Sequence, residues 1–203
     1  GTMRLVIECK RRNGSWTFLL PAQKSYKYPR GRILITKISS KKIFWGQINH
    51  IPESYISGFC VPETGGAKDT RTLEKTTGEL LVSAESLAEE ELSLMQRTTT
   101  PLSPNPMLDL LYYFPIVITT AKLQVCKFHP EQVVDGKIAT GDSEFEPVDY
   151  IQFYKNLPSN IDYETSQEPF SLSDINKNND RCVIIVQAEK ILEFLKRLSF
   201  VFY

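Results

Sequence analysis

Leu5-Val6-Ile7-Glu8-Cys9-Lys10-Arg11-Arg12-Asn13-Gly14-Ser15-Trp16-Thr17-Phe18-Leu19-Leu20 opens the chain with two apolar runs separated by polar residues. Residues 5–7 form a short apolar run of the kind that enters a sheet as a buried strand, and Glu8-Cys9-Lys10 is its polar end. Arg12-Asn13-Gly14-Ser15 supplies turn chemistry, and residues 16–20 give a second strand that stops before Pro21, so the two runs are expected to pair as a hairpin. Side chains alternate across a strand, which places Glu8 and Lys10 on one face. A carboxylate in that position can hold Mg²⁺, which takes oxygen donors, while the neighbouring ammonium can position an attacking water and stabilise charge developing on a phosphate. Acid-x-lysine is a common tripeptide, and Asp135-Gly136-Lys137 repeats it in a turn where it carries no catalytic weight. The strand context is what singles out Glu8 and Lys10.

Residues 21–32 are basic and contain Tyr26, Tyr28 and Pro29, which fits a loop. Residues 33–38 and 43–45 read as short strands or as apolar patches of an irregular insert. From Leu73 onward, Leu80, Leu81, Ala84, Leu87, Ala88, Leu94 and Met95 recur near helical spacing, with Glu85, Glu89 and Glu90 on the other side, and predict one long amphipathic helix ending near Arg97. Pro101, Pro104 and Pro106 make residues 98–107 an internal linker. Leu110-Leu111-Tyr112-Tyr113-Phe114-Pro115-Ile116-Val117-Ile118 is the most apolar segment and suits a central strand, and the alternation of Ala121, Leu123 and Val125 with polar residues predicts another directly after it. Asp135-Gly136 marks a turn. Residues 148–154 and 182–186 read as strands, and Ala188, Ile191, Leu192, Leu195 and Leu198 as the apolar stripe of a last helix. The expected fold class is α/β, more closely mixed α+β, in a single domain over 1–203 whose first three residues read as a cloning remnant ahead of the start.

Lysine plus arginine and aspartate plus glutamate both number 24, so the 203-residue chain has no global field to attract nucleic acid. The cations are uneven, however. Lys10, Arg11, Arg12, Lys24, Lys27, Arg30, Arg32, Lys37, Lys41 and Lys42 fall in the first 42 residues, where Glu8 is the sole acid. That bias predicts either a solvated face or a phosphate-facing surface. Cys9, Cys60, Cys126 and Cys182 are widely spaced, which argues against a zinc site and a disulfide framework; the three in apolar runs, Cys9, Cys126 and Cys182, are expected to be small buried hydrophobes. With no signal-peptide pattern and no apolar run of about 18 residues, the expected compartment is the reducing cytoplasm. His50 and His129 lie far apart with no metal-ligand spacing.

The run Leu5-Val6-Ile7-Glu8-Cys9-Lys10-Arg11 resembles the acid-x-lysine strand of the PD-(D/E)XK, or restriction-endonuclease-like, nuclease superfamily. Ser15-Trp16-Thr17-Phe18 and the segment from Phe114 to Cys126 are similar to the strands that follow it in some bacterial members. The resemblance implies a central mixed sheet flanked by helices, with Glu8 as metal ligand and catalytic acid for Mg²⁺ or Mn²⁺ and Lys10 as the catalytic lysine. Arg11, Arg12, Lys24 and Arg30 are then offered to the DNA backbone, and DNA, with a homodimer left open, is the implied partner. The family also uses an acid on the preceding strand, and no residue of this sequence stands in that place. Two expectations follow: a metal-dependent DNA endonuclease-like domain, such as that of a bacterial or phage defence protein, or a catalytically degenerate nuclease fold that binds nucleic acid or protein.

Overall fold

The first apolar run does not pair with the second. In the computed structural model, which describes residues 2–24, 26–62, 67–97, 109–134, 137–138, 144–156 and 180–198, β1 (Thr2–Lys10) lies parallel to β7 (Leu110–Thr119) in one sheet. The next strand, β2 (Ser15–Pro21), lies parallel to β8 (Lys122–Phe128) in another. The expected hairpin is therefore replaced by two side-by-side chain segments that turn the same corner from one sheet into the next. Asn13-Gly14 carries a turn signal, but the turn redirects the strand between layers instead of folding it back on its neighbour.

The larger sheet runs β4-β3-β7-β13-β12-β5, with β1 on the other edge of β7. Its members are β3 (Tyr28–Lys37), β4 (Lys42–Ser54), β5 (Ile56–Ser57), β12 (Tyr150–Asn156) and β13 (Asp180–Gln187). β3 and β4 form a long hairpin, so residues 28–32 are strand and not loop. β7 is the hub: β1 covers one edge along nearly its whole length, while the other edge is shared by antiparallel β3 (residues 110–113) and parallel β13 (residues 116–119). Pro115, which has no N–H to give a ladder, falls in the gap between those two partners. The smaller sheet runs β11-β8-β2-β6, with β6 (Cys60–Pro62) and β11 (Glu144–Pro147) at its edges. A short antiparallel pair, β9 (Val133–Val134) with β10 (Lys137–Ile138), flanks the expected Asp135-Gly136 turn, which itself lies outside the described residues, as does the proline-rich segment 98–107.

Strict alternation along β7 explains the layers. Leu111, Tyr113 and Val117 join one apolar core with Leu73, Leu80, Leu81, Ala84 and Ala88 of α1 (Ala67–Arg97) and with Trp16, Phe18, Leu20, Leu123 and Val125 of the smaller sheet. Phe114 and Ile116 join a second core on the opposite face, with Ile33, Ile35, Ile184, Val186 and Phe194 of α2 (Ile191–Arg197). The chain is thus mixed α+β: among the described residues, a mixed sheet carries one helix on each face. Burial at positions 73, 77, 80, 81, 84, 88 and 92 matches the helical period, but Leu92 faces inward and Leu94 is exposed, and in α2 Phe194 is buried where Leu192 is exposed. Cys126 and Cys182 are buried as expected; Cys9 is exposed because β1 is an edge strand and not a buried one. Burial pushes the thiols of Cys60 and Cys182 up to about 12. No helix among the described residues is long and apolar enough to cross a membrane.

Candidate nucleic-acid interface

Alternation along β1 sends Val6 into the core on the α1 side, and Arg4, Glu8 and Lys10 share its face. The two predicted catalytic side chains do meet: Lys10 Nζ lies 2.9 Å from a Glu8 carboxylate oxygen, with both side chains partly exposed. Among the described residues no group of three histidine, cysteine, aspartate or glutamate side chains converges as a metal site. Glu8 therefore stands as one carboxylate already engaged by a lysine, a donor set that does not by itself fit a resident Mg²⁺.

The acids of α1, offered by the sequence as a solvated face, are structural where they meet the sheet. Glu85 accepts from Trp45 Nε1 at 2.7 Å and from Arg181 Nε at 3.0 Å, and the Arg181 side chain is only 1% exposed. Its guanidinium also lies 5.5 Å from the centre of the Trp45 ring. Glu91 binds Arg4 at 2.9 Å and accepts from the Tyr113 hydroxyl at 2.7 Å; burial, and secondarily that contact, push the phenol upward. Glu74 pairs with Lys155 at 3.1 Å.

Beyond Lys10 the strand reaches the corner. Gly14 adopts φ 88°, a left-handed conformation that glycine enters without steric penalty. The backbone N–H of Arg12 donates to Thr120 Oγ1 at 2.8 Å, and that hydroxyl donates back to the Arg12 carbonyl at 2.8 Å. Thr120 N–H donates to the Lys10 carbonyl at 3.2 Å and Lys122 N–H to that of Gly14 at 3.0 Å. These bonds lock the corner between β1 and β2 to the corner between β7 and β8. Together they enclose an open depression of ≈ 720 Å³ whose lining includes Arg11, Arg12 and Lys122, the amides Asn13 and Gln124, and the Thr120 hydroxyl, with no carboxylate among its described lining residues.

Of the cations expected at a DNA surface, Arg11 and Arg12 are brought together here, at the end of the strand that carries Glu8 and Lys10. The side chains of Lys24 and Arg30 lie outside the described residues; their backbones lie in a short 3₁₀ turn (Ala22–Lys24) and in β3 opposite Asn49. Lys122 is the residue the sequence did not flag. It reaches the depression only through the parallel register Ser15↔Lys122, a pairing between segments more than a hundred residues apart. Thr119 is buried and accepts from the N–H of Ala121 at 3.1 Å, a local structural role.

A second depression, ≈ 470 Å³, lies between β4, the β11–β12 connection and α2, and Lys27, Glu53, Tyr55, Asp149 and Arg197 contribute mixed charge to its lining. At its side Glu146 is held by Lys127 at 2.8 Å, by the Tyr55 hydroxyl at 2.6 Å and by Lys27 at 3.1 Å. Those contacts, Lys127 foremost, bring its carboxyl down to about 2.

Compared with protein-family models, with curated proteins and with solved structures, the chain matches none.

Proposed function

We propose that this chain is a nuclease-like domain that engages the phosphodiester backbone of DNA through the basic corner beside Glu8 and Lys10. One observation carries the reading: in a chain of zero net charge, Arg11, Arg12 and Lys122 line one depression together with the amide side chains of Asn13 and Gln124 and no described carboxylate. Phosphate oxygens accept hydrogen bonds and carry charge, and guanidinium, ammonium and amide groups gathered in a concave site supply both complements. Such contacts position a duplex without reading its sequence.

Hydrolysis is the second reading, and the placement of Glu8 and Lys10 favours it. They share a face at the end of a strand that runs parallel to its neighbour β7, and they lie next to the same corner. Glu8 would contribute one ligand to Mg²⁺ or Mn²⁺ and Lys10 would orient water, once a further carboxylate joined them.

Fluorescence anisotropy with a labelled DNA duplex over a series of salt concentrations tests the first reading. Binding should weaken linearly on logarithmic axes, and Arg11→Ala and Lys122→Ala should each lower affinity and reduce the slope by about 0.9 for each phosphate no longer neutralised. Affinity unchanged in both variants would reject the corner as the binding surface. Cleavage of plasmid DNA in Mg²⁺ or Mn²⁺, abolished by Lys10→Ala, would establish hydrolysis; salt-sensitive binding with no cleavage would leave a binding module.

A further inference from the structure

Among the described residues β1 pairs on one side only, with β7, and its other edge is unpartnered over nine residues. A long edge strand offers a row of backbone donors and acceptors to another strand, and proteins usually blunt such an edge or use it. Here the edge is not blunted by proline or by a dense run of lysine. Its sequence, Thr2-Met3-Arg4-Leu5-Val6-Ile7-Glu8-Cys9-Lys10, is instead complementary to itself when reversed.

We propose that β1 pairs antiparallel with β1 of a second copy of this chain, centred on Val6, joining two seven-stranded sheets into one. In that register Arg4 faces Glu8 of the other copy, and the two-fold axis makes the contact twice. Leu5 faces Ile7, Met3 faces Cys9 and Thr2 faces Lys10. A perpendicular two-fold keeps both copies' odd-numbered residues on one side of the sheet. The exposed apolar positions Met3 (37%) and Ile7 (45%), with exposed Cys9, thus form one continuous stripe with their counterparts. Opposite charges directly across an antiparallel pair stabilise it and like charges oppose it, which fixes the register. Sliding by two residues to centre on Ile7 would set Arg4 against Lys10, and centring on Leu5 would leave Glu8 opposite Thr2. Arg4 already binds Glu91 within its own chain, but its side chain stays 36% exposed and a guanidinium has five donors.

Sedimentation equilibrium over a concentration series should give a mass of twice 23.2 kDa. Glu8→Arg should shift the equilibrium to monomer, because it sets two arginines against each other at both ends. Arg4→Glu should do the same, and mixing the two variants should restore a heterodimer in which every facing pair is opposite in sign. Circular dichroism would identify a variant that has simply unfolded. Met3→Cys supplies a test that leaves the charges alone. The introduced thiol is six residues from Cys9 in its own chain, ~20 Å away along a strand, too far for an internal disulfide, yet directly opposite Cys9 of the other copy. Mild oxidation should therefore yield a covalent dimer that is lost in Met3→Cys/Cys9→Ser and absent in Thr2→Cys. A chain that remains at 23.2 kDa throughout, or a dimer that Glu8→Arg does not weaken and that Met3→Cys does not cross-link, would overturn the proposal.

Discussion

Glu146→Gln removes one negative charge from a cluster that otherwise holds Lys127, Lys27 and the Tyr55 ring. Both lysines lie over that ring, 5.0 and 5.3 Å from its centre, so the carboxylate is what balances two neighbouring cations. Its folded value of about 2 lies below the ordinary 4.5. At 1.36 kcal/mol per pH unit that difference is at most about 3 kcal/mol; the side chain is 33% exposed, and solvent screening brings the expected contribution to about 1–2 kcal/mol. Because the folded value is depressed, the stabilisation is fully present above pH ~4.5 and is lost as the pH falls toward 2. Glutamine keeps an oxygen for the Tyr55 hydroxyl, so the substitution isolates charge from shape. Urea denaturation of both proteins should show a gap of about 1–2 kcal/mol at pH 7 that narrows below pH ~4.5 and nears zero toward pH 2. A gap of the same size at pH 7 and at low pH, or no gap at pH 7, would refute the role assigned to the charge.

Glu85→Ala should destabilise the fold by about 3 kcal/mol, read by urea denaturation, because it takes the carboxylate from the buried Arg181 guanidinium and the acceptor from Trp45. Gly31→Ala should cost about 1–3 kcal/mol: the added methyl would stand 2.2 Å from Ile51 Cδ1 and 2.6 Å from Gln152 Oε1, both on buried side chains. Phe194→Ala should lower stability by about 3–5 kcal/mol, whereas Leu192→Ala, two residues away and 71% exposed, should stay within about 0.5 kcal/mol in the same assay.

The strands whose central place was legible in sequence are those buried on both faces; β2 and β8, buried on one face, were legible as strands, β8 from its alternation. β7 and β13 carry unbroken apolar runs because each faces two cores, and no local signal competes with that pattern. The β1–β2 hairpin failed for the opposite reason. Asn13-Gly14 is a local signal, while β1 finds its partner more than a hundred residues away and β2 finds its two partners more than forty and more than a hundred residues away, chosen by packing that no local window contains. The arginines of β3 likewise concealed a strand, since a hairpin at a sheet edge tolerates charge that a central strand does not. At the candidate site, Glu8, Lys10, Arg11 and Arg12 could be read because they are contiguous. Lys122 could not, because only the parallel register brings it there. Glu85 and Glu91 sit in a run of helical acids, and nothing in that run distinguishes the two that meet Arg181 and Arg4 from those that face water.

The corner between the sheets separates what folding needs from what binding would use. Its backbone groups satisfy one another through Thr120 and through the Lys10 and Gly14 carbonyls, so no lysine or arginine side chain enters those bonds. Placing Arg11 and Lys122 on the lining of one concavity brings like charges toward each other, which opposes folding. The expected signature is a dissociation of effects. Neutralising Arg11 or Lys122 should leave stability unchanged or slightly raised while DNA affinity falls, whereas disrupting Thr120, which ties the two corners together, should lower both.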